Sequence, residues 1–257
     1  MLRLLIVCAA AGIAAGVGTG FAGMSATTAI VPMLVTFLGV PWYESVGIGL
    51  ASDVLASAFS AYVYKKNDNL DLKHGAVMVA AVLLMTILGS YFSQYMPDLE
   101  MGRLSVVFTT LMGLRFIVLP ATKQAKLFGF QIPENRRMLL SVICGVGIGF
   151  YCGFMGLGGG MMMLFILTTI LRYDLKTAVG TSVFVMTFIA FTGACSHFYF
   201  GDVTNYIPAL VLCIVFTLVS ALIASALSNR MKDKTTNRVT GVVLFGLGLM
   251  MLWESFL

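Results

Sequence analysis

Four glycines (Gly156, Gly158, Gly159, Gly160) stand within five residues of the stretch GFMGLGGGMMM, in a run of strongly apolar sequence. A helix that starts inside such a run leaves backbone N–H groups unsatisfied and carries partial positive charge at that end, which suits it to hold an anion. Glycine lets the chain break there and lets a ligand reach the amides. The second chemically suggestive residue is Asp53, the one carboxylate well inside an apolar span. Such a group in a membrane is expensive, so it implies proton carriage or a gate that repels anions, against the plainer reading of a hydrogen-bonded packing residue. His197 joins Asp53 as a coupling or gating candidate, although its position, like that of His74, reads first as interfacial.

Other residue types carry less. Met161–Met163 are consecutive, so they point around a helix and read as packing. The five cysteines (Cys8, Cys144, Cys152, Cys195, Cys213) form no CxxC pair and read as small buried apolar groups, with neither a metal nor a cofactor implied. An enzyme would need a nucleophile and a base, yet the sequence holds no HExxH, no GxSxG and no paired aspartates. These residues point to binding rather than catalysis.

The elements that position them are membrane spans. Of 257 residues, 59% are apolar and 11% charged, with a mean hydropathy of +0.97. Soluble domains carry about 25% charged residues. Apolar runs broken by charges, proline or turn residues give ten segments, at 3–22, 25–39, 44–64, 73–95, 102–119, 138–156, 158–171, 177–200, 204–228 and 239–256. The expected class is an all-α polytopic membrane protein. The N-terminal MLRLLIVCAAAGIAA resembles a secretory signal, but its glycines recur in a repeat, so it is read as the first span.

Of the 16 basic residues, the alternation of loops puts only Arg3 and Arg103 on one side and the other 14 (16 less 2) on the opposite side. The net charge of +5 therefore reads as a topology signal and not as a nucleic-acid surface. The positive-inside rule makes the basic side cytoplasmic and places both termini outside.

Shifted by 133 positions, the sequence matches itself: Gly12, Gly16, Gly20, Phe21 and Gly23 fall on Gly145, Gly149, Gly153, Phe154 and Gly156, and Val46 and Gly47 fall on Val179 and Gly180. The first repeat covers 1–119, a cytoplasmic linker 120–137 and the second repeat 138–257. Each holds five segments, and an odd number inverts the second repeat relative to the first, as in secondary transporters whose site lies between inverted halves. Segments two (25–39) and seven (158–171) span only about 21–23 Å at 1.5 Å per residue, against a core about 30 Å thick. Both are expected to start near the midplane, one reaching in from each face. By contrast, GVGTGFAG and GVGIGFYCG read as helix-packing faces.

At these residues the chain resembles the TauE/SafE family of sulfite and organosulfonate exporters. The second half carries GFMGLGGGMMM, AVGTSV and GACSHFYFGDV; the first carries the weaker copies GFAGMSATTAIVP, SVGIGLAS and KKNDNLDLKHG. The resemblance implies a bacterial inner-membrane protein that moves small sulfur-containing anions. Where the family has a glycine run, the first repeat has MSATT, so Ser25, Thr27 and Thr28 would offer hydroxyls, beside Gly23, opposite the amides of Gly156 and Gly158–Gly160. Thr181 and Ser182 are further hydroxyl candidates. A bound sulfonate wants several donors and no nearby carboxylate. The expected function is export of sulfite, thiosulfate or an organosulfonate such as sulfoacetate by alternating access, with cation or metal efflux and a non-catalytic assembly role as alternatives. A homodimer is a reasonable guess for a carrier of this size.

Overall fold

The computed structural model describes residues 1–93, 134–155, 159–200 and 203–232, with isolated residues outside those ranges. All regular structure among the described residues is helical. The helices are α1 (Leu2–Ala22), α2 (Thr27–Leu38), α3 (Trp42–Lys66), α4 (Leu72–Ser93), α5 (Glu134–Met155), α6 (Gly159–Thr169), α7 (Leu175–Phe200) and α8 (Ile207–Arg230), with a 3-10 turn at Val203–Tyr206. Four of them, α1, α3, α7 and α8, are long and apolar enough to cross a membrane. The expected segments at 102–119 and 239–256 lie largely outside the described residues.

The two short helices expected from the sequence are present. α2 has 12 residues and α6 has 11, about 18 and 16 Å of helix. α1 stops at Gly23, whose φ of +62° suits glycine; its N–H donates to Thr19 O at 2.9 Å, and Met24 N–H to Gly18 O at 3.4 Å. The chain then turns through Met24–Ala26, and the first turn of α2 closes with Thr28 N–H to Ser25 O at 3.2 Å and Ile30 N–H to Ala26 O at 3.1 Å. α2 and α6 end alike. Val40 N–H donates to Leu34 O at 3.3 Å after Gly39 at φ +65°, and Tyr173 N–H to Leu167 O at 3.0 Å after Arg172 at φ +56°.

Packing follows the glycine faces. α1 lies on α8, where a Cβ at Gly12 would stand 2.7 Å from Phe216 Cβ and one at Gly20 2.5 Å from Ala224 Cβ; Ser220 Oγ donates to Gly12 O at 3.1 Å. α5 lies on α4, where a Cβ at Gly145 would stand 2.9 Å from Ala81 Cβ and one at Gly149 2.5 Å from Val82 O. Small residues here let helix backbones approach where lipid supplies no hydrophobic drive for association. The starts of α3 and α7, and of α4 and α8, are 133 and 135 residues apart. At that offset the α1–α8 pair becomes the α5–α4 pair, and α3–α7 becomes itself.

Side-chain contacts fix which helix ends lie together. Tyr173 OH donates to Asp71 Oδ2 at 2.7 Å, Asn69 Nδ2 to Asn229 Oδ1 at 2.6 Å and Lys176 Nζ to Met231 O at 2.7 Å; Arg137 lies 5.2 Å over the Tyr173 ring. These contacts gather Lys65, Lys66, Arg137, Arg172, Lys176 and Arg230 at one end. At the other end the Tyr43 and His197 rings lie 4.2 Å apart. Among the described residues the basic loops thus share one face.

Candidate functional site

The first break is built from hydroxyls. Ser25 Oγ donates to Asp53 Oδ2 at 2.8 Å and lies 2.7 Å from Thr27 Oγ1, and the Ala26 backbone also hydrogen-bonds the Asp53 carboxyl. Asp53 sits halfway along α3, eleven residues from Trp42 and thirteen from Lys66. Asp53, Thr27 and Thr28 are at most 1% exposed, and Ser25 is 6% exposed. Among the described residues Asp53 Oδ1 and Thr28 Oγ1 have no hydrogen-bond partner. α3 admits α2 this closely through Gly49, where a Cβ would stand 2.9 Å from Thr27 Cα.

α6, described from Gly159 onward, comes to meet it: a Cβ at Gly160 would stand 2.5 Å from Gly23 O, 2.9 Å from Met24 Cα and 2.9 Å from Ser25 N. Ser182, on α7, donates its hydroxyl to Gly23 O at 2.9 Å and lies 3.5 Å from Gly160 O. The starts of α2 and α6 therefore lie together, with one serine bridging them.

Gly23, Ser25, Thr27, Thr28, Asp53, Gly160 and Ser182 form this buried cluster, and Gly159 opens α6. Gly156 and Gly158 lie outside the described residues. Thr181 is not part of the cluster: its Oγ1 accepts from Asp71 N–H at 3.2 Å at the basic end. Nor is His197, whose Nδ1 lies 3.1 Å from Tyr43 O at the opposite end. Met163 is fully buried in the core and Met162 packs against it, so these two methionines are packing residues. Cys8, Cys144, Cys152 and Cys213 are buried as expected, whereas Cys195 is exposed.

One feature of the cluster departs from the sequence reading. A carboxylate stands at the α2 start, where an anion site was expected to have none nearby. The reason is local. A buried helix start and a buried serine hydroxyl need an acceptor, and a carboxylate is the strongest available. The 133-residue offset carries Asp53 onto Met186, which is buried, so the equivalent position on α7 carries no carboxyl. A second negative charge about 4 Å away would be repelled by about 4 kcal/mol at an effective dielectric of about 20.

A second cluster, not anticipated as a unit, closes the basic end. Asp71 caps α4, its Oδ1 accepting from His74 N–H at 3.1 Å, while Oδ2 meets His74 Nδ1 at 2.7 Å and Tyr173 OH at 2.7 Å. Burial pushes the Asp71 carboxyl up, but hydrogen bonds from Tyr173 and His74 outweigh it and hold the group below the usual carboxylate range. The signal was present in DLKH, an aspartate followed three residues later by histidine at a helix start.

With these positions in place, likeness to known proteins bears on the whole chain. Residues 8–251 match the family described as Sulfite exporter TauE/SafE. The chain is 24% identical to the probable membrane transporter protein YunE of Bacillus subtilis, over 97% of this chain and 98% of that protein. It is 23% identical to the probable membrane transporter protein YdhB of the same organism, over 84% and 87%. It is 24% identical to the probable membrane transporter protein MJ0441 of Methanocaldococcus jannaschii, over 92% and 88%. No solved structure matches the chain. Matched from one end almost to the other, and with apolar helices that suit a bilayer, the chain belongs to the Sulfite exporter TauE/SafE family of membrane transporters.

Proposed function

We propose that this transporter is a secondary carrier that exports a small sulfur oxyanion (sulfite, thiosulfate or an organosulfonate such as sulfoacetate) across a bacterial inner membrane by alternating access. The observation that carries this is the meeting of two short-helix starts, Gly160 against Gly23–Ser25 with Ser182 between them, halfway along the long helix α3. Amides at α6 and hydroxyls at α2 supply the donors an oxyanion needs, and non-helical backbone at such depth is tolerated where it lines a site. Two inverted five-segment repeats, rocking about that meeting point, would expose it to each side in turn. The exchange of packing partners at the 133-residue offset supports the repeat, and the shared basic face, read as cytoplasmic, supports termini on the outside.

Asp53 favours a second reading, cation efflux, because a buried carboxylate ringed by hydroxyl oxygens can hold a cation. The site gives it less, since the carboxyl accepts from donors at a positive helix end. Flux of radiolabelled sulfite, thiosulfate, sulfoacetate and taurine into proteoliposomes, run beside divalent metal uptake, decides. Saturable flux of at least one anion is expected. Metal uptake with no anion flux would sink the anion reading.

A further inference from the structure

The α2 start already has a carboxyl group of its own. Asp53 is fully buried, one oxygen is held by Ser25, and among the described residues neither Oδ1 nor Thr28 Oγ1 has a hydrogen-bond partner. Among the described residues no other charged group reaches this level from the elements packed on α3. α2 and the 3-10 turn carry no Lys, Arg, His, Asp or Glu. α1 carries only Arg3, α8 only Arg230 at its last residue, and α7 only Lys176 and His197 near its two ends; their remaining titratable groups are Cys8, Cys213, Cys195, Tyr199 and Tyr206. On α3 itself the nearest charge is Glu44, nine residues and about 13 Å away.

We propose that Asp53 takes up one proton for each anion bound, so that anion and proton cross together; this rests on the anion-carrier reading above. An ionised carboxylate only accepts hydrogen bonds, as does the incoming oxyanion, so the two compete for the same donors. A proton on Oδ1 removes that competition and turns the carboxyl into a donor toward the anion. As the anion enters, a proton from water forms an O–H bond at Oδ1. On the far side the anion leaves, that O–H bond breaks to water, and Ser25 and the Ala26 backbone again serve an ionised Asp53. No electrons move. A sodium ion in the same place would face the Ser25 hydroxyl proton, the Ala26 N–H and the positive end of α2, which is why a proton is the coupling species. A monovalent sulfonate then crosses without net charge, and thiosulfate crosses with one negative charge.

The test uses full-length protein in liposomes containing a pH-sensitive dye, with labelled methanesulfonate and thiosulfate and an imposed potassium–valinomycin potential. The expected result is one proton per anion, methanesulfonate flux indifferent to the potential, and apparent affinity falling about tenfold per pH unit on the alkaline limb. Asp53→Asn should carry anion without protons, with flat pH dependence and potential-driven flux. Anion flux with no proton movement, or flux that requires sodium, would overturn the proposal while leaving the carrier reading standing. No flux of any anion, those of the panel above included, would remove both. If Asp53→Asn does not fold, the wild-type proton-to-anion ratio decides alone.

Discussion

Gly160 shows how much one hydrogen atom in place of a side chain can decide. Its α-carbon lies where a methyl group would press on the Gly23 carbonyl and the Met24 and Ser25 backbone, none of which is a flexible side-chain tip. Gly160→Ala should therefore destabilise by about 1–3 kcal/mol and lower anion flux at least about tenfold. The control is Gly147, on α5, where a Cβ meets nothing within 4 Å. Gly147→Ala should be neutral or up to about 1 kcal/mol more stable through helix propensity. Thermal unfolding in detergent, with flux measured on the same preparations, separates the two. Ser182→Ala removes the hydroxyl that bridges the breaks and leaves the Gly23 carbonyl short of a donor, for a cost of about 1–3 kcal/mol. If Ser182→Ala and Gly160→Ala both matched wild type, the close meeting of the breaks would not describe the folded protein. These residues were only partly legible beforehand. The glycines announced a break and Ser25 announced a hydroxyl, but no local pattern says that Asp53, 28 residues from Ser25, closes on it. That pairing depends on how α2 and α3 cross, which no local pattern encodes.

At the scale of helices the sequence was easier to read. Apolar length and glycine spacing located both short helices and both packing faces, because membrane thickness and backbone approach constrain those features directly. The packing predicts paired effects. Gly16→Val pushes against Thr217 O and Ala221 N, backbone atoms of α8, and Gly149→Val against Val82 O on α4. Each should destabilise by about 1–3 kcal/mol or more, and the two unfolding shifts should agree within about 1 kcal/mol; a gap of several kcal/mol would deny the equivalence of the α1–α8 and α5–α4 pairs. The Asp71 cluster makes a pH-dependent prediction. Because its folded carboxyl lies below the ordinary value of 3.8, its contribution is full above that pH and is lost as the pH falls below it. The melting-temperature difference between wild type and Asp71→Asn should therefore be constant from neutrality down to about pH 4 and shrink below. A difference that instead disappeared between pH 5 and 8 would contradict the assignment to the Asp71 carboxyl.

The whole molecule joins its two sequence halves at two levels: at the basic end through Asp71–Tyr173 and Asn69–Asn229, and deeper through Ser182 and the paired breaks. Neither link can be found from periodicity, since each spans more than 100 residues. The alternation of charged loops nevertheless forecast which helix ends would meet, because topology is written in lysine and arginine placement. The basic end is closed by polar side chains, and Ser25, Asp53, Gly160 and Ser182 are buried beneath it among the described residues. In the alternating-access cycle proposed above this end would open, and the Asp71–Tyr173 contact would be among those that part. The central claim is that an oxyanion sits where the starts of α2 and α6 meet. Its most direct test is a crystal soaked in selenite, a sulfite analogue whose selenium scatters anomalously. The account predicts the strongest peak within hydrogen-bond reach of the Gly159–Gly160 amides and the Ser25 hydroxyl. A peak confined to the basic end, among Lys176 and Arg230, with sulfite transport intact in solution, would contradict it.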